Sequence, residues 1–89
     1  METLQIRVTR DDIRKGIPEN VHMCPIARAV RRAGRERVTV DDCIATRTKN
    51  FELPDVAQRF MRSFDWGRPV KPFTFTAKRI VEGMVPRIR

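Results

Sequence analysis

Leu4, Ile6 and Val8 alternate with Thr3, Gln5 and Arg7 at the start of the chain. A period of two sets the three apolar side chains on one face, so residues 3–8 are predicted to form a strand with one buried side. Thr9 and Asp12 then stand at capping-box spacing. With Ile13 as a single apolar contact and Gly16 to end it, one short helical turn is expected. Residues 17–23 contain Pro18 and Asn20, have no periodicity and read as a loop. The period next changes to that of a helix: Ile26, Val30 and Ala33 recur at i, i+4 and i+7. Pro25 suits the first helical position and Gly34 a left-handed C-terminal cap, so boundaries near 25 and 33 follow.

Val38 and Val40 alternate, Asp41 and Asp42 suit a turn or bulge, and residues 43–48 are rich in β-branched side chains. Residues 36–49 are therefore expected to form a hairpin or a bent strand. Pro54 opens a third helix, with Val56, Ala57, Phe60, Met61 and Phe64 on one side, Arg59 and Arg62 opposite, and an end near Gly67. After a linker bracketed by Pro69 and Pro72, Phe73, Phe75 and Ala77 alternate with Thr74, Thr76 and Lys78 in a final strand. Residues 82–89 are expected to be a frayed basic tail.

Eighty-nine residues suffice for one compact domain, 1–89, with a modest core. The elements predict an α+β two-layer sandwich: a small mixed or mainly antiparallel sheet with the two longer helices on one face. Strand order, and the choice between monomer and homodimer, stay open. No segment approaches the ~20 apolar residues needed to span a bilayer, so membrane insertion is not expected. Two cysteines are too few for a disulfide framework and the N-terminus does not read as a signal peptide. The cytoplasm of a bacterial host is the expected compartment.

Charge changes the picture. Nineteen Lys and Arg against eleven Asp and Glu give a formal charge of +8, and fifteen of the nineteen are arginines. Arg28, Arg31, Arg32 and Arg35 fall on the side of the second helix opposite its apolar positions, a stripe that Arg37, Arg59 and Arg62 extend. Guanidinium groups match phosphate and carboxylate geometry, so the stripe points to a polyanionic or acidic partner. Two structural explanations stand beside this one: GC-rich coding fills solvated faces with arginine, and cations in a last helical turn complement the dipole. Phe64, Trp66, Phe73 and Phe75 lie near Arg62, Arg68 and Lys71, an interleaving that stacks bases while cations hold a backbone. The phenylalanines share strand and helix faces as a core requires, which leaves Trp66, beside Gly67, as the aromatic expected to be exposed.

Catalytic chemistry finds little support. His22, Cys24 and Cys43, with Asp41 or Asp42, do not stand at a zinc spacing. Cys24 near His22 lacks a third residue to orient the imidazole. Asp11 with Asp12 suits helix capping, and Asp41 with Asp42 a turn. No P-loop, dinucleotide fingerprint or nucleophile elbow is present. The expectation is a protein that is not an enzyme and uses no cofactor or metal; a small cysteine- or metal-dependent enzyme is kept in reserve.

Asp12-Ile13 with Gly16, then Cys24-Pro25-Ile26-Ala27 with Ala29, and later Phe60, Phe64-Asp65, Gly67, Val70 and Pro72-Phe73-Thr74-Phe75 carry a resemblance. Over most of its length the chain resembles small proteins encoded by bacteriophages and prophages, a pattern to which no activity is attached. The resemblance implies a phage accessory protein, and phage products of this size include inhibitors of host machinery such as anti-CRISPR proteins. Two functions follow. One is a basic binding protein that contacts nucleic acid through the arginine face and Trp66. The other is a counter-defence inhibitor that uses the same residues on an acidic host protein that handles nucleic acid.

Overall fold

The first and last strands pair with each other. β1 (Thr3–Val8) and β5 (Phe73–Lys78) run antiparallel with Leu4 opposite Ala77, Ile6 opposite Phe75 and Val8 opposite Phe73. This register brings the two predicted apolar faces onto one side, where Ile6, Val8 and Ala77 are fully buried. Thr3, Gln5, Arg7, Thr74, Thr76 and Lys78 occupy the exposed side. A slip of one residue would turn every apolar side chain of a strand to water, at about 1.5–3 kcal/mol for each large one, so burial specifies the register. The computed structural model describes residues 2–80, and the basic tail expected over 82–89 lies outside the described residues.

A second antiparallel ladder has the order β2 (Thr39–Val40), β3 (Cys43–Ala45), β4 (Asn50–Glu52), with Val40 opposite Ile44 and Ile44 opposite Phe51. Asp41 and Asp42 make the turn between β2 and β3, closed by the Asp41 N–H donating to the Cys43 carbonyl at 3.0 Å. The two ladders meet at an isolated bridge between Phe51 and Arg79, beside which the Ile80 N–H donates to the Asn50 carbonyl at 2.8 Å. The sheet is thus built as two antiparallel ladders hinged at Phe51, whose ring is fully buried there.

Three helices complete the fold: α1 (Arg10–Lys15), α2 (Pro25–Arg32) and α3 (Asp55–Asp65). α2 packs on β1 and buries Ile26, Ala27, Ala29 and Val30. α3 sets the Phe60 ring against Phe73 of β5, with centroids 4.7 Å apart. Because the other face of β1 and β5 is solvated, both longer helices lie on the same side, and the architecture is the expected α+β sandwich. No helix among the described residues is long and apolar enough to cross a membrane.

α1 has six residues, too few to be stable alone. Its capping box is formed: the Thr9 N–H donates to Asp12 Oδ2 at 2.9 Å and the Asp12 N–H to Thr9 Oγ1 at 3.2 Å. Asp12 is fully buried, and an unpaired carboxylate there would cost several kcal/mol. Arg32 of α2 supplies the counter-charge in bidentate form, Nη1 to Oδ1 and Nη2 to Oδ2, both at 2.7 Å. The same Nη2 donates to the Arg7 carbonyl at 2.8 Å, so one guanidinium joins α1, α2 and the end of β1. Burial pushes the Asp12 carboxyl up, but the hydrogen bonds from Arg32 and Thr9 outweigh it and hold the group below the ordinary carboxylate range. Gly16 ends α1 against α2. A Cβ there would stand 2.7 Å from two ring carbons of Pro25 and 2.8 Å from the Asp12 carbonyl oxygen.

Asp12→Asn removes the charge and keeps the shape. At neutral pH it should destabilise by about 2 kcal/mol, a fall in Tm on the order of 10 °C. A depressed folded-state pKa gives stability that is present above the unfolded value and is lost as pH falls through the folded one. The difference from wild type should therefore be constant down to about pH 5 and shrink below about pH 4; urea titrations across that range measure it, and a pH-independent difference would contradict an ionised Asp12. Gly16→Ala should cost about 1–3 kcal/mol by forcing α1 away from Pro25. The double variant should lose less than the sum, because both changes release the same helix.

Candidate nucleic-acid interface

The predicted α2 stripe exists, and its members have internal partners. Arg32 is held by Asp12 and Arg7 as described. Arg28 lies between α1 and α2, with Nε 3.6 Å from Asp12 Oδ1 and Nη2 3.6 Å from Asp11 Oδ2. Arg31 donates to the His22 carbonyl and, at 3.6 Å, to Met23 Sδ, which pins the end of the 17–23 loop to the helix. That loop is also ordered by Asn20, whose Oδ1 accepts from the N–H groups of His22 and Met23. Arg35 reaches Glu2 at 3.4 Å while its guanidinium carbon sits 5.4 Å from the centroid of the buried Phe51 ring. Arg37 is apart from these, exposed, with a left-handed backbone at φ 55°.

Glu2 gathers three cations: Lys49 at 2.8 Å, Arg35 at 3.4 Å and Arg79 at 3.5 Å. The Lys49 hydrogen bond, helped by the three charges and opposed by partial burial, holds its carboxyl below the ordinary range. The acidic side chains near α2 thus pair with Arg28, Arg32 and Arg35, whereas Arg31 is held by neutral acceptors, the His22 carbonyl and Met23 Sδ.

α3 is arranged differently. Ala57, Phe60, Met61 and Phe64 recur at i, i+3, i+4 and i+7 and face the core. Arg59, Arg62, Ser63 and Trp66 repeat the same spacing two residues later, a rotation of about 200° that carries them to the opposite side. These four, with Arg68, line a shallow groove of about 330 Å³. Trp66 is 77% exposed. Among the described residues, no carboxylate oxygen lies within 4 Å of the guanidinium nitrogens of Arg59, Arg62 or Arg68.

Arg68 reaches the groove because of how α3 ends. Gly67 takes φ 77°, the Arg68 N–H donates to the Ser63 carbonyl at 2.9 Å, and the Gly67 N–H to the Phe64 carbonyl at 3.0 Å. This is a Schellman cap, and its left-handed residue costs a side chain strain that glycine avoids. The chain turns back so that the Arg68 guanidinium carbon stands 5.5 Å from the centroid of the Trp66 ring. α2 ends in the same way at Gly34, with Arg35 N–H donating to Val30 and Gly34 N–H to Arg31. Each cap folds one arginine over one aromatic ring. In α2 the ring is buried and Glu2 balances the charge; in α3 the ring is solvated and the charge is unmatched among the described residues.

Arg59, Arg62 and Trp66 are therefore brought together, while Arg28, Arg31, Arg32 and Arg35 are drawn into the fold and Arg37 stands alone. Ser63 was not singled out from the sequence, although its i+4 spacing from Arg59 places it on the same stripe. Elsewhere, Cys24 caps α2, its Sγ accepting from the Ala27 N–H at 3.4 Å, and burial pushes its thiol up. Burial and the neighbouring Asp42 and Asp41 raise Cys43 likewise. Asp11 and Asp12 diverge, the first toward Arg14 at the surface and the second inward. Among the described residues no group of three or more His, Cys, Asp and Glu side chains is placed to hold a metal ion. Comparison with known proteins finds no family model, no curated protein and no solved structure that matches the chain.

Proposed function

We propose that this chain is a non-catalytic nucleic-acid-binding protein whose contact surface is the outer face of α3, with Arg59, Arg62 and Arg68 on phosphates around Trp66. The observation that carries the reading is three guanidiniums with no carboxylate oxygen within 4 Å among the described residues, grouped about a tryptophan that is 77% exposed. Two effects oppose each other here. The C-terminal end of a helix disfavours an anion by ~0.3–1 kcal/mol, whereas each charge-assisted hydrogen bond to a phosphate contributes ~1.5–3 kcal/mol. The cations prevail, the more so because the Schellman bonds already occupy the Ser63 and Phe64 carbonyls. The α2 arginines add positive potential within a Debye length of ~8–10 Å and make their direct contacts inside the protein.

A second reading has one observation in its favour. Tryptophan and arginine dominate the energetics of protein interfaces, so the same groove suits an acidic patch on a host protein that handles nucleic acid. This is the counter-defence inhibitor that the resemblance to phage proteins implies, acting in the bacterial cytoplasm.

Fluorescence anisotropy of labelled nucleic acid against salt separates the two. Arg59→Glu with Arg62→Glu should remove at least tenfold in affinity and flatten the slope of log K against log salt by about 0.7–0.9 per lost phosphate contact, with the fold unchanged by circular dichroism. Arg31→Glu should leave the slope alone. Loss of binding in Arg31→Glu with full binding in the α3 variant would return the interface to α2.

A further inference from the structure

We infer that the Trp66 surface takes single-stranded nucleic acid in preference to duplex. The inference rests on the nucleic-acid reading above and adds the strandedness of the ligand. An indole has two faces. The Arg68 guanidinium lies over one, 5.5 Å from the ring centroid. With 77% of the residue in water, the other face is open. Such a platform, backed by a cation, is what an unpaired base stacks on. Bases within a duplex have both faces covered by their neighbours, and reaching one requires unstacking a step. Arg62 and Arg59 lie on the same side of α3, about 6 and 10.5 Å along the axis from Trp66, so a strand whose base rests on the indole runs its phosphates over both guanidiniums.

The groove's other features agree. It is shallow and lined by four long or flat side chains and Ser63, with no concave pocket that would select one base. A π-face is common to all bases, so the expected recognition is tolerant of sequence. Stacking on one aromatic ring corresponds to about tenfold in affinity, which sets the expected size of the preference.

Trp66 is the chain's only tryptophan, so intrinsic fluorescence reports this surface alone. The full chain is titrated at physiological salt with an oligothymidine strand, and in parallel with a mixed-sequence duplex of equal length, with binding followed both by tryptophan emission and by anisotropy of the labelled ligand. Quenching of Trp66 by the single strand, with affinity at least about tenfold above that for duplex, is the expected result. Trp66→Ala should bring the two affinities together by lowering that for the single strand more than that for duplex, and Trp66→Phe should restore part of the preference. Both variants should fold, since the side chain is mostly outside the core. Equal affinities, or binding seen by anisotropy while the indole stays unquenched, overturns the single-strand inference and leaves the nucleic-acid reading standing. Failure of both ligands to bind at physiological salt overturns this inference and the nucleic-acid reading together and favours an acidic protein partner.

Discussion

The fold is organised around a carboxylate with no access to water. Asp12 sits at the junction of α1, α2 and β1, where an ion is tolerated only if its counter-ion arrives with it. Arg32 does so through two 2.7 Å hydrogen bonds and spends a third on the Arg7 carbonyl. Such a pair is not a strong source of net stability, because desolvating the carboxylate offsets most of the attraction. Its effect is positional. A six-residue helix with one apolar contact has little to define where it rests, and the Asp12–Arg32 fork defines it. The fork also turns the arginine side of α2 toward the acidic side of α1, so Arg28 follows Arg32 into the same contact.

Glu2 repeats the arrangement at the other end of β1, where Arg35, Lys49 and Arg79 converge from α2, the β3–β4 connection and the end of β5. Two carboxylates thus engage five cations, Arg28, Arg32, Arg35, Lys49 and Arg79, around the strand that anchors the first ladder. In a chain with a formal charge of +8, carboxylates are the scarce species: Asp12 and Glu2 are placed near α2, while α3's own Asp55 and Asp65 make no ion pair within 4 Å with Arg59, Arg62 or Arg68 among the described residues. The location of the proposed binding surface follows from this allocation more than from the number of arginines on a helix.

Much of the fold was legible because local signals agreed. Alternation in 3–8 and 73–78, Pro25 and Gly34 around α2, and Gly67 after α3 each have one physical reading, and the elements lie where those readings put them. β4 was not legible. It has three residues, and Asn50 and Glu52 are poor strand formers; only pairing with β3 and burial of Phe51 at the bridge to Arg79 make it a strand. The fate of the arginines was equally hidden. Helical spacing reveals which side chains share a face, but Asp12 is twenty residues from Arg32 and Glu2 thirty-three from Arg35, and periodicity carries no information about partners so distant. Of the eight residues of the predicted interface, Arg28, Arg31, Arg32 and Arg35 take partners within the fold, Arg37 stands apart, and Arg59, Arg62 and Trp66 line one groove on α3.

The two helix ends make the contrast quantitative. Both α2 and α3 finish in a Schellman cap that returns an arginine over an aromatic ring, so local geometry is nearly the same. At α2 the ring is Phe51, whose burial contributes about 2–3 kcal/mol and whose arginine meets Glu2. At α3 the ring is Trp66, the largest side chain in the protein, and its apolar surface is left in water with an unmatched cation over it. A cation on a solvated ring contributes only ~0.5–1 kcal/mol, less than burial of the indole would. Folding alone therefore gains little from this end of α3, and a ligand that covers the indole and meets Arg59, Arg62 and Arg68 recovers the hydrophobic and electrostatic terms together.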